Sequence, residues 1–192
     1  MSFLRRCGWA VASAALVVAL AAGPAWAGLS SSEWNQAKRE FERAFAGNDA
    51  EGMVAAVQKI AQDDSPRAVD LLVNVGAQLD NIKVYEAVRA ALGGMKDPET
   101  VAYMVKQLER QSSPAKWQSR CVLCEALVPH QGEEVTRAIA ARLDDKVPYV
   151  ISAAAKALGK RRDPKGVEPL IAKLRELEKN KGRHLDRRSS RR

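Results

Sequence analysis

Cys121 and Cys124 are the residues whose types and spacing come closest to a chemical motif in this 192-residue chain. Two thiols three positions apart on a helix face the same side, where they could hold a metal, form a disulfide or carry out redox chemistry. A redox-active pair normally lies at the start of a helix, because the helix dipole lowers the pKa of a thiol there. The apolar neighbours Val122 and Leu123 place this pair in mid-helix, which favours an inert thiol pair or a local disulfide over a redox site.

A zinc site at this pair would need two more ligands, and the nearest donors are His130, Glu133 and Glu134. Pro129 and Gly132 place these donors in the loop after the helix, so we expect His130 to be a solvated loop residue. The sequence therefore predicts no metal and no cofactor.

Other catalytic arrangements are missing from the sequence. It has two histidines, one in this loop and one in a polar tail, and helical spacing cannot bring them into a Ser-His-Asp arrangement. Adjacent carboxylates at 63–64, 133–134 and 144–145 fall at predicted helix boundaries, where they cap N–H groups rather than act as a paired acid and base. We therefore predict no catalytic residues.

Residues 1–27 have the features of an export signal. Two arginines precede an apolar run that stops at Gly23-Pro24, and the small-residue sequence Ala25-Trp26-Ala27 follows as a cleavage site. The alternative is a membrane anchor, which needs about 20 unbroken apolar residues, and this run is shorter. We expect cleavage after Ala27, no transmembrane segment in the mature chain, and a periplasmic or secreted protein.

The formal net charge of +8 is concentrated at the two ends of the chain. Of the 31 Lys and Arg residues, two lie within residues 1–27 and seven lie after Glu178. Residues 28–178 contain as many acids as bases, whereas a helical repeat protein that follows DNA phosphates needs a basic stripe along its body. We therefore expect no nucleic-acid partner.

Three segments repeat one pattern of small and apolar residues, at 84–93, at 150–159 and, more loosely, at 119–127. Alignment on their Ala-Leu pairs gives steps of 35 residues (84 to 119) and 31 residues (119 to 150). Such a period, with apolar residues at three- and four-residue spacing, predicts stacked helical hairpins that need their neighbours to stay folded. The predicted fold class is an all-α solenoid.

The hairpins set the predicted domain boundaries. A capping helix at about 31–46, within residues 28–48, covers the open end of the first hairpin with its apolar face. Four helix pairs follow over residues 49–181. The basic tail at 182–192 has too few apolar residues to fold, so we expect it to be disordered.

Each helix pair has a small-residue first helix and a larger-residue second helix. Alanine on the first helices lets backbones approach closely, and Leu, Val and Ile on the second helices fill the space between layers. By buried area, Leu108, Ile139 and Leu170 are expected to be the costliest positions to truncate.

Proline and glycine mark the expected helix ends. Asp97-Pro98 offers an N-cap oxygen followed by proline at the first helical position. Asp163-Pro164 has the same form, but Pro169 would then interrupt the helix, so we expect that helix to start near Gly166. The glycines expected to end helices in the left-handed conformation are Gly47, Gly93 and Gly159.

Two motifs mark these hairpins: Val-x-x-Ala-x-x-x-Ala-Leu-Gly at 84–93 and 150–159, and Asp-Pro-x-x-Val-x-Pro-Leu-Ile at 163–171. They resemble the HEAT repeat family, in particular the short bacterial HEAT-like repeats related to those of phycobilin lyases, over roughly residues 49–178. The resemblance implies a curved α-solenoid whose second helices line the concave, partner-binding side. The third repeat departs from the pattern, with Arg120 and Cys124 where small residues are usual.

Polar side chains on the second helices lie outside the predicted buried stripe and would line up along one side of a solenoid. Tyr103 is the strongest candidate among them, because aromatic and arginine residues are over-represented at binding hot spots. For any single residue, a solvated polar face is the simpler explanation. The candidate partner-binding residues are Asp70, Asn74, Tyr103, Lys106 and Arg137.

These features predict an exported, non-catalytic protein-binding or scaffolding module whose protein partner the sequence does not identify. The basic tail could also contact an anionic lipid surface, an acidic envelope polymer or an acidic protein. The alternative function is a lyase-like enzyme or a chaperone that presents a substrate in the concave groove. A deep pocket with a polar cluster would favour the enzyme, and a shallow strip of mixed charge would favour binding.

Overall fold

The computed structural model describes residues 28–74 and 81–189, with side chains through Lys181. Helices dominate this part of the chain, and no strand occurs in it. The predicted all-α fold class is confirmed. The α-helices of the described residues are α1 (Ser31–Ala46), α2 (Ala50–Ile60), α3 (Pro66–Asn74), α4 (Ile82–Gly94), α5 (Pro98–Arg110), α6 (Trp117–Ala126), α7 (Glu133–Ala140), α8 (Pro148–Arg161) and α9 (Val167–Ser189).

α1 begins at a capping box and spans the range that the sequence predicts. The Ser30 hydroxyl accepts a hydrogen bond from the backbone N–H of Glu33 at 3.3 Å, and the Glu33 carboxylate accepts one from the backbone N–H of Ser30 at 2.9 Å. These reciprocal bonds satisfy backbone donors that a helix start leaves unpaired. The helix packs on α2 and buries Ala37, Phe41 and Ala44.

A polar cluster ties the chain before α1 to the turn after α2. The Asp63 carboxylate accepts hydrogen bonds from Nε and Nη2 of Arg67 (2.7 and 2.6 Å) and from the backbone N–H of Leu29 (2.9 Å). Arg67 also lies over the Trp34 ring, 4.5 Å from its centroid, an attractive position for a cation. Burial alone would raise the pKa of Asp63, but these donors lower it below its usual value.

Two layers of helices build the array. The first helices of the four pairs (α2, α4, α6 and α8) pack on one another in order, and α1 begins this layer by packing on α2. The second helices α3, α5 and α7 stack in the same order. This sequential stacking is the solenoid arrangement that the repeat period predicts.

The core lies between and within these layers. Every apolar residue that the sequence assigns to the first-helix stripes is buried or half-buried. Leu108 on α5 and Ile139 on α7 are fully buried, as predicted. Leu170 on α9 is only half-buried, because no later helix pair covers α9 within the described residues. It therefore does not belong with these two among the costliest positions.

The turn before α9 follows the prediction from its two prolines. The Asp163 carboxylate accepts a hydrogen bond from a backbone N–H in a 3-10 turn at Pro164–Gly166, and α9 begins at Val167. Pro169 therefore lies in the first helical turn, where its missing N–H costs no hydrogen bond. Asp97 likewise caps the start of α5.

The predicted left-handed conformation of the glycines at the helix ends is wrong, although one of the predicted ends is correct. Gly47 is the C-cap residue of α1, but its backbone angles are right-handed. Gly93 lies one residue before the end of α4, and Gly159 lies two residues before the end of α8. Gly93 instead allows a close approach, since a Cβ there would lie 3.4 Å from the backbone oxygen of Ala126. The non-glycine residues that take the left-handed conformation are Asn48, Asp64 and Arg162, with φ angles of 52°, 36° and 53°. Asn and Asp tolerate this conformation because their short side chains hydrogen-bond locally.

α9 continues to Ser189, so the backbone of residues 182–189 is helical where the sequence predicts a disordered tail over 182–192. The physical reason is that Lys, Arg and Leu are good helix formers, and an established helix extends one hydrogen bond at a time. Much of its apolar surface is uncovered, because Leu174 is 60% exposed and Leu177 is 49% exposed.

The predicted signal segment at 1–27, with cleavage after Ala27, lies outside the described residues, as do tail positions 190–192. Over the residues that the structure does describe, no helix combines the length and the apolar character needed to span a membrane.

Candidate functional site

Three of the five predicted partner-binding residues form hydrogen bonds within the protein. The Tyr103 hydroxyl on α5 donates to the Asp70 carboxylate on α3, 2.8 Å from each oxygen. Gln107 Nε2 donates to Asp70 Oδ1 at 3.2 Å and to the Tyr103 oxygen at 2.7 Å. Asn74 Oδ1 accepts a hydrogen bond from Lys116 Nζ at 3.1 Å. The contacts of Tyr103 and Gln107 connect the first and second helix pairs, and the Asn74–Lys116 bond connects the first pair to the turn before α6.

Lys106 and Arg137, the other two predicted partner-binding residues, are exposed. Partial burial and the Asp70 carboxylate raise the pKa of Tyr103, so its hydroxyl keeps its proton and donates to Asp70 at neutral pH. A partner would have to displace this bond to reach the hydroxyl. Asp70 and Tyr103 therefore hold α3 against α5. Of the five predicted residues, only the cations Lys106 and Arg137 remain available to a partner.

Cys121 and Cys124 are free, buried thiols in α6. Burial raises the pKa of Cys121 to about 12 and raises that of Cys124 as well, so neither forms a thiolate at neutral pH. Helical residues three apart have Cβ atoms about 5–6 Å apart, whereas a disulfide needs about 3.5–4.5 Å, so a bond would distort α6. The arrangement fits the inert pair among the three interpretations. Across the described residues, no group of three or more metal-ligating side chains comes together.

Arg120, the unusual residue of the third repeat, is buried with its side chain 1% exposed. Its Nε and Nη2 donate to the two carboxylate oxygens of Asp145 at 2.8 and 3.0 Å, and its Nη1 donates to the backbone oxygen of Ser113 at 2.6 Å. Burial opposes the charge of Asp145, but the Arg120 guanidinium and its hydrogen bonds lower the pKa of this carboxyl. The pair joins α6 to the turn before α8 and has a structural role.

His130 is half-buried in the loop between α6 and α7 rather than solvated. Burial lowers the pKa of His130, which leaves the ring neutral at pH 7. Arg161, from the end of α8, holds this loop by donating to the backbone oxygens of Leu127 (2.9 Å), Val128 (3.2 Å) and His130. The loop is a packed connection between repeats, not a metal ligand set.

An opening on the first helices is formed by α4, α6 and α8. It consists of two adjoining cavities of about 460 and 360 Å³ that share Glu125 and Lys156. We call it the first-helix groove. Its lining residues are Asn81, Ile82, Tyr85, Arg89, Ala90, Gly93, Gly94, Trp117, Gln118, Cys121, Glu125, Val128, Pro129, Tyr149, Ser152, Ala153, Lys156, Ala157 and Lys160.

One end of the first-helix groove is aromatic and lies at the amino-terminal ends of its three helices. Trp117 stacks on Tyr149, with ring centroids 5.0 Å apart and an interplanar angle of 29°. Tyr149 is 67% exposed and Ile82 is 69% exposed. Tyr85 is half-buried beside them, and burial raises its pKa. Exposed apolar side chains around a concave opening are typical of a binding site.

The other end of the groove is basic and lies toward the carboxyl ends of the same helices. Lys156 and Lys160 are exposed on α8, and neither has a hydrogen bond or an ion pair with any described residue. Between the two ends, Glu125 on α6 lies 3.7 Å from Arg89 Nε on α4. The negative charge of Glu125 is therefore compensated by Arg89. The positive charges of the two lysines at this end are not compensated by any described residue.

The prediction missed this groove because it placed the site on the second helices. When the repeats are aligned, Ala90, Glu125 and Lys156 occupy one register position, six residues after the aligned residues 84, 119 and 150. Ile82 and Trp117 share another position, two residues before them. Large apolar residues and charges at positions outside the buried stripe are the signal that marks this face in the sequence.

The comparisons with known proteins concern the last helix pair. Residues 150–176, in α8 and the first part of α9, match the family described as PBS lyase HEAT-like repeat. This match confirms the predicted resemblance in that pair. No curated protein matches the sequence. Residues 150–176 are therefore similar to a PBS lyase HEAT-like repeat, and they belong to the last helix pair that the structure describes.

Proposed function

We propose that this protein is an exported protein-binding or scaffolding module that binds its partner in the first-helix groove. The observation that carries the proposal is the combination of exposed Ile82 and Tyr149 with two unpaired lysines in one concave opening. A partner that covers the apolar end removes hydrophobic surface from water and satisfies charges that the chain itself leaves unmatched. Large aromatic side chains of this kind dominate the energetics of protein interfaces.

The titratable groups in the groove support binding rather than catalysis. The raised pKa values of Tyr85 and Cys121 keep both groups protonated at neutral pH, so neither supplies a base or a nucleophile. Glu125 lies 3.7 Å from Arg89 Nε, so its carboxylate faces a cation of the chain itself. A lyase-like activity, which the name of the matched family raises, would need an acid and a base of separated pKa facing one substrate.

Export is the second part of the proposal, and it rests on the signal features of residues 1–27. Amino-terminal sequencing of the protein recovered from the cells that make it tests this part. The expected first residue is Gly28. A chain that retains residues 1–27 at its final location would contradict cleavage.

Photo-crosslinking in the native envelope tests the binding surface. A photoreactive amino acid at position 149, in the aromatic end of the groove, is expected to give a discrete protein adduct. The matched control is position 106 on α5, which is equally exposed but lies on the second-helix face. Adducts from 106 alone would move the binding surface to the second helices. Adducts from neither position would contradict a protein-binding function.

A further inference from the structure

We propose that the segment bound in the first-helix groove is an acidic peptide, in which one large apolar side chain is followed by carboxylates. This inference rests on the proposed function, because it names the chemistry of the ligand for the same groove. The two ends of the groove differ in chemistry, one aromatic and one basic, so each end favours a different kind of ligand side chain.

The apolar side chain belongs at the aromatic end. Ile82 and Tyr149 rim the opening there, and Ala153 and half-buried Tyr85 line it below. The cavity of about 460 Å³ is large enough to accept a leucine or an aromatic side chain. An anchor in such a pocket buries its own surface together with apolar surface that is now exposed.

The carboxylates belong at the basic end. Lys156 and Lys160 are four residues apart on α8, so their side chains share one face. Neither pairs with a described residue, and a carboxylate there would form a charge-assisted hydrogen bond without displacing an existing partner. Charge complementarity therefore selects an anion for this end.

The helix sets the spacing of the ligand. Tyr149 and Lys156 lie about 10 Å apart along α8, and Tyr149 and Lys160 about 16 Å, at a rise of 1.5 Å per residue. An extended peptide covers these lengths in roughly three and five residues, but its successive side chains point to opposite faces. Acids that face the groove together with the anchor must therefore lie an even number of positions from it. The ligand should carry acids about four and six positions from its apolar anchor, and the flexible lysine side chains bridge the remaining difference.

The middle of the groove favours a peptide over other anionic polymers. Glu125 and Arg89 face the segment between the two ends and offer one acceptor and one donor. A peptide backbone matches this pair with its own N–H and C=O groups. A phosphodiester chain presents acceptors alone, and its phosphates would be repelled by Glu125.

Binding of synthetic peptides to the purified full chain tests the inference. The probe is a fluorescent peptide with one leucine and with aspartates four and six positions after it. Two matched peptides replace either both aspartates by asparagine or the leucine by alanine. We expect the acidic leucine peptide to bind at least about tenfold more tightly than either control, with an affinity that falls as the salt concentration rises.

Charge-reversed variants locate the binding. Lys156→Glu with Lys160→Glu is expected to weaken binding of the acidic peptide by at least about tenfold. The matched control, Lys106→Glu with Arg137→Glu, makes the same change in net charge on the second-helix face and should bind as the original chain does. All four side chains are exposed, so circular dichroism melts should show that both variants fold.

Three results would overturn the inference: equal binding of the asparagine peptide, equal loss in the two double variants, or stronger binding of an oligonucleotide or a polyuronate than of the peptide. Crosslinks from position 149 to a protein, without preference for acidic peptides, would reject the ligand chemistry and leave the proposed function standing. The absence of both crosslinks and peptide binding would reject the two together.

Discussion

The two ends of the helix array are closed in different ways. At the amino-terminal end, α1 buries Phe41 to 1% exposure and is held by the Asp63 cluster. At the carboxyl-terminal end, α9 lies beside α8 but leaves Leu174 and Leu177 half or more exposed, around an apolar opening of about 550 Å³. Both helices have an apolar face, yet one is packed and the other is not.

The difference teaches that an amphipathic pattern predicts which face of a helix is apolar, but not whether another element covers it. α1 has α2 as a partner and a polar link between residues 29 and 63 that fixes its position. For α9, the described residues contain no later helix pair, and its ion pairs from Lys173 reach exposed acids, Asp144 and Glu176. Whether the apolar face of a helix is buried therefore depends on which elements lie next to that helix.

The largest expected effect compares apolar truncations at the two ends. Phe41→Ala should lower the free energy of unfolding by about 3–5 kcal/mol, because it removes a fully buried ring. Leu174→Ala should change it by less than about 0.5 kcal/mol, because its side chain is already mostly in water. Chemical denaturation of both variants measures the difference. Equal losses would mean that the carboxyl-terminal end is covered in solution.

Polar links at the two ends give the next largest effect. Asp63→Ala should cost about 1–3 kcal/mol, because it removes a buried acceptor and leaves the N–H of Leu29 without its partner. Lys173→Ala should cost about 0–1 kcal/mol, because both of its acidic partners are solvated. Thermal melts of the two variants provide the measurement, and a larger loss for the lysine variant would contradict the comparison.

Acid should loosen the amino-terminal end. The pKa of Asp63 is lowered in the folded protein, so its stabilising contribution is complete above the unfolded value of about 3.9 and is lost as the pH falls through the folded value. We expect amide exchange in α1 to accelerate below about pH 4. Asp63→Asn should exchange faster at neutral pH and show a flatter pH dependence. An α1 whose protection is unchanged down to pH 2 would contradict this role.

The smallest effect concerns the basic tail. Deletion of residues 182–192 should change stability by less than about 0.5 kcal/mol, because the described part of this segment, residues 182–189, continues α9 beyond the packed helix pairs. If the tail contacts an anionic surface, as we propose from its charge, the deletion should abolish cosedimentation with phosphatidylserine vesicles while leaving neutral vesicles unaffected. Retained cosedimentation would place that contact elsewhere on the protein.

The sequence predicts the fold well because the fold depends on local period. The repeat steps, the buried stripes and the Asp-Pro helix starts are all encoded within short segments, and the structure reproduces them. The glycine ends are not encoded in this way. Gly93 lies within α4 where a backbone oxygen of α6 comes close, a contact between repeats that no pattern within one helix indicates.

The candidate site is harder to predict because it depends on contacts between repeats. The hydroxyl of Tyr103 donates a hydrogen bond to Asp70, 33 positions away in the sequence. No pattern within one helix indicates such a contact. The groove arises where Ile82, Trp117 and Tyr149 come together from three separate helices. Their grouping is visible only after the repeats are aligned and stacked.

The Arg161 guanidinium joins the last helix pair to the loop of the pair before it, and this single side chain shapes how the array opens. A solenoid with equal contacts between pairs would lose its pairs one at a time from an end. Here the fourth pair cannot detach without leaving the backbone oxygens of Leu127, Val128 and His130 without this donor. The third and fourth pairs should therefore unfold as one cooperative unit. The sides of the first-helix groove that α6 and α8 form should lose their structure together.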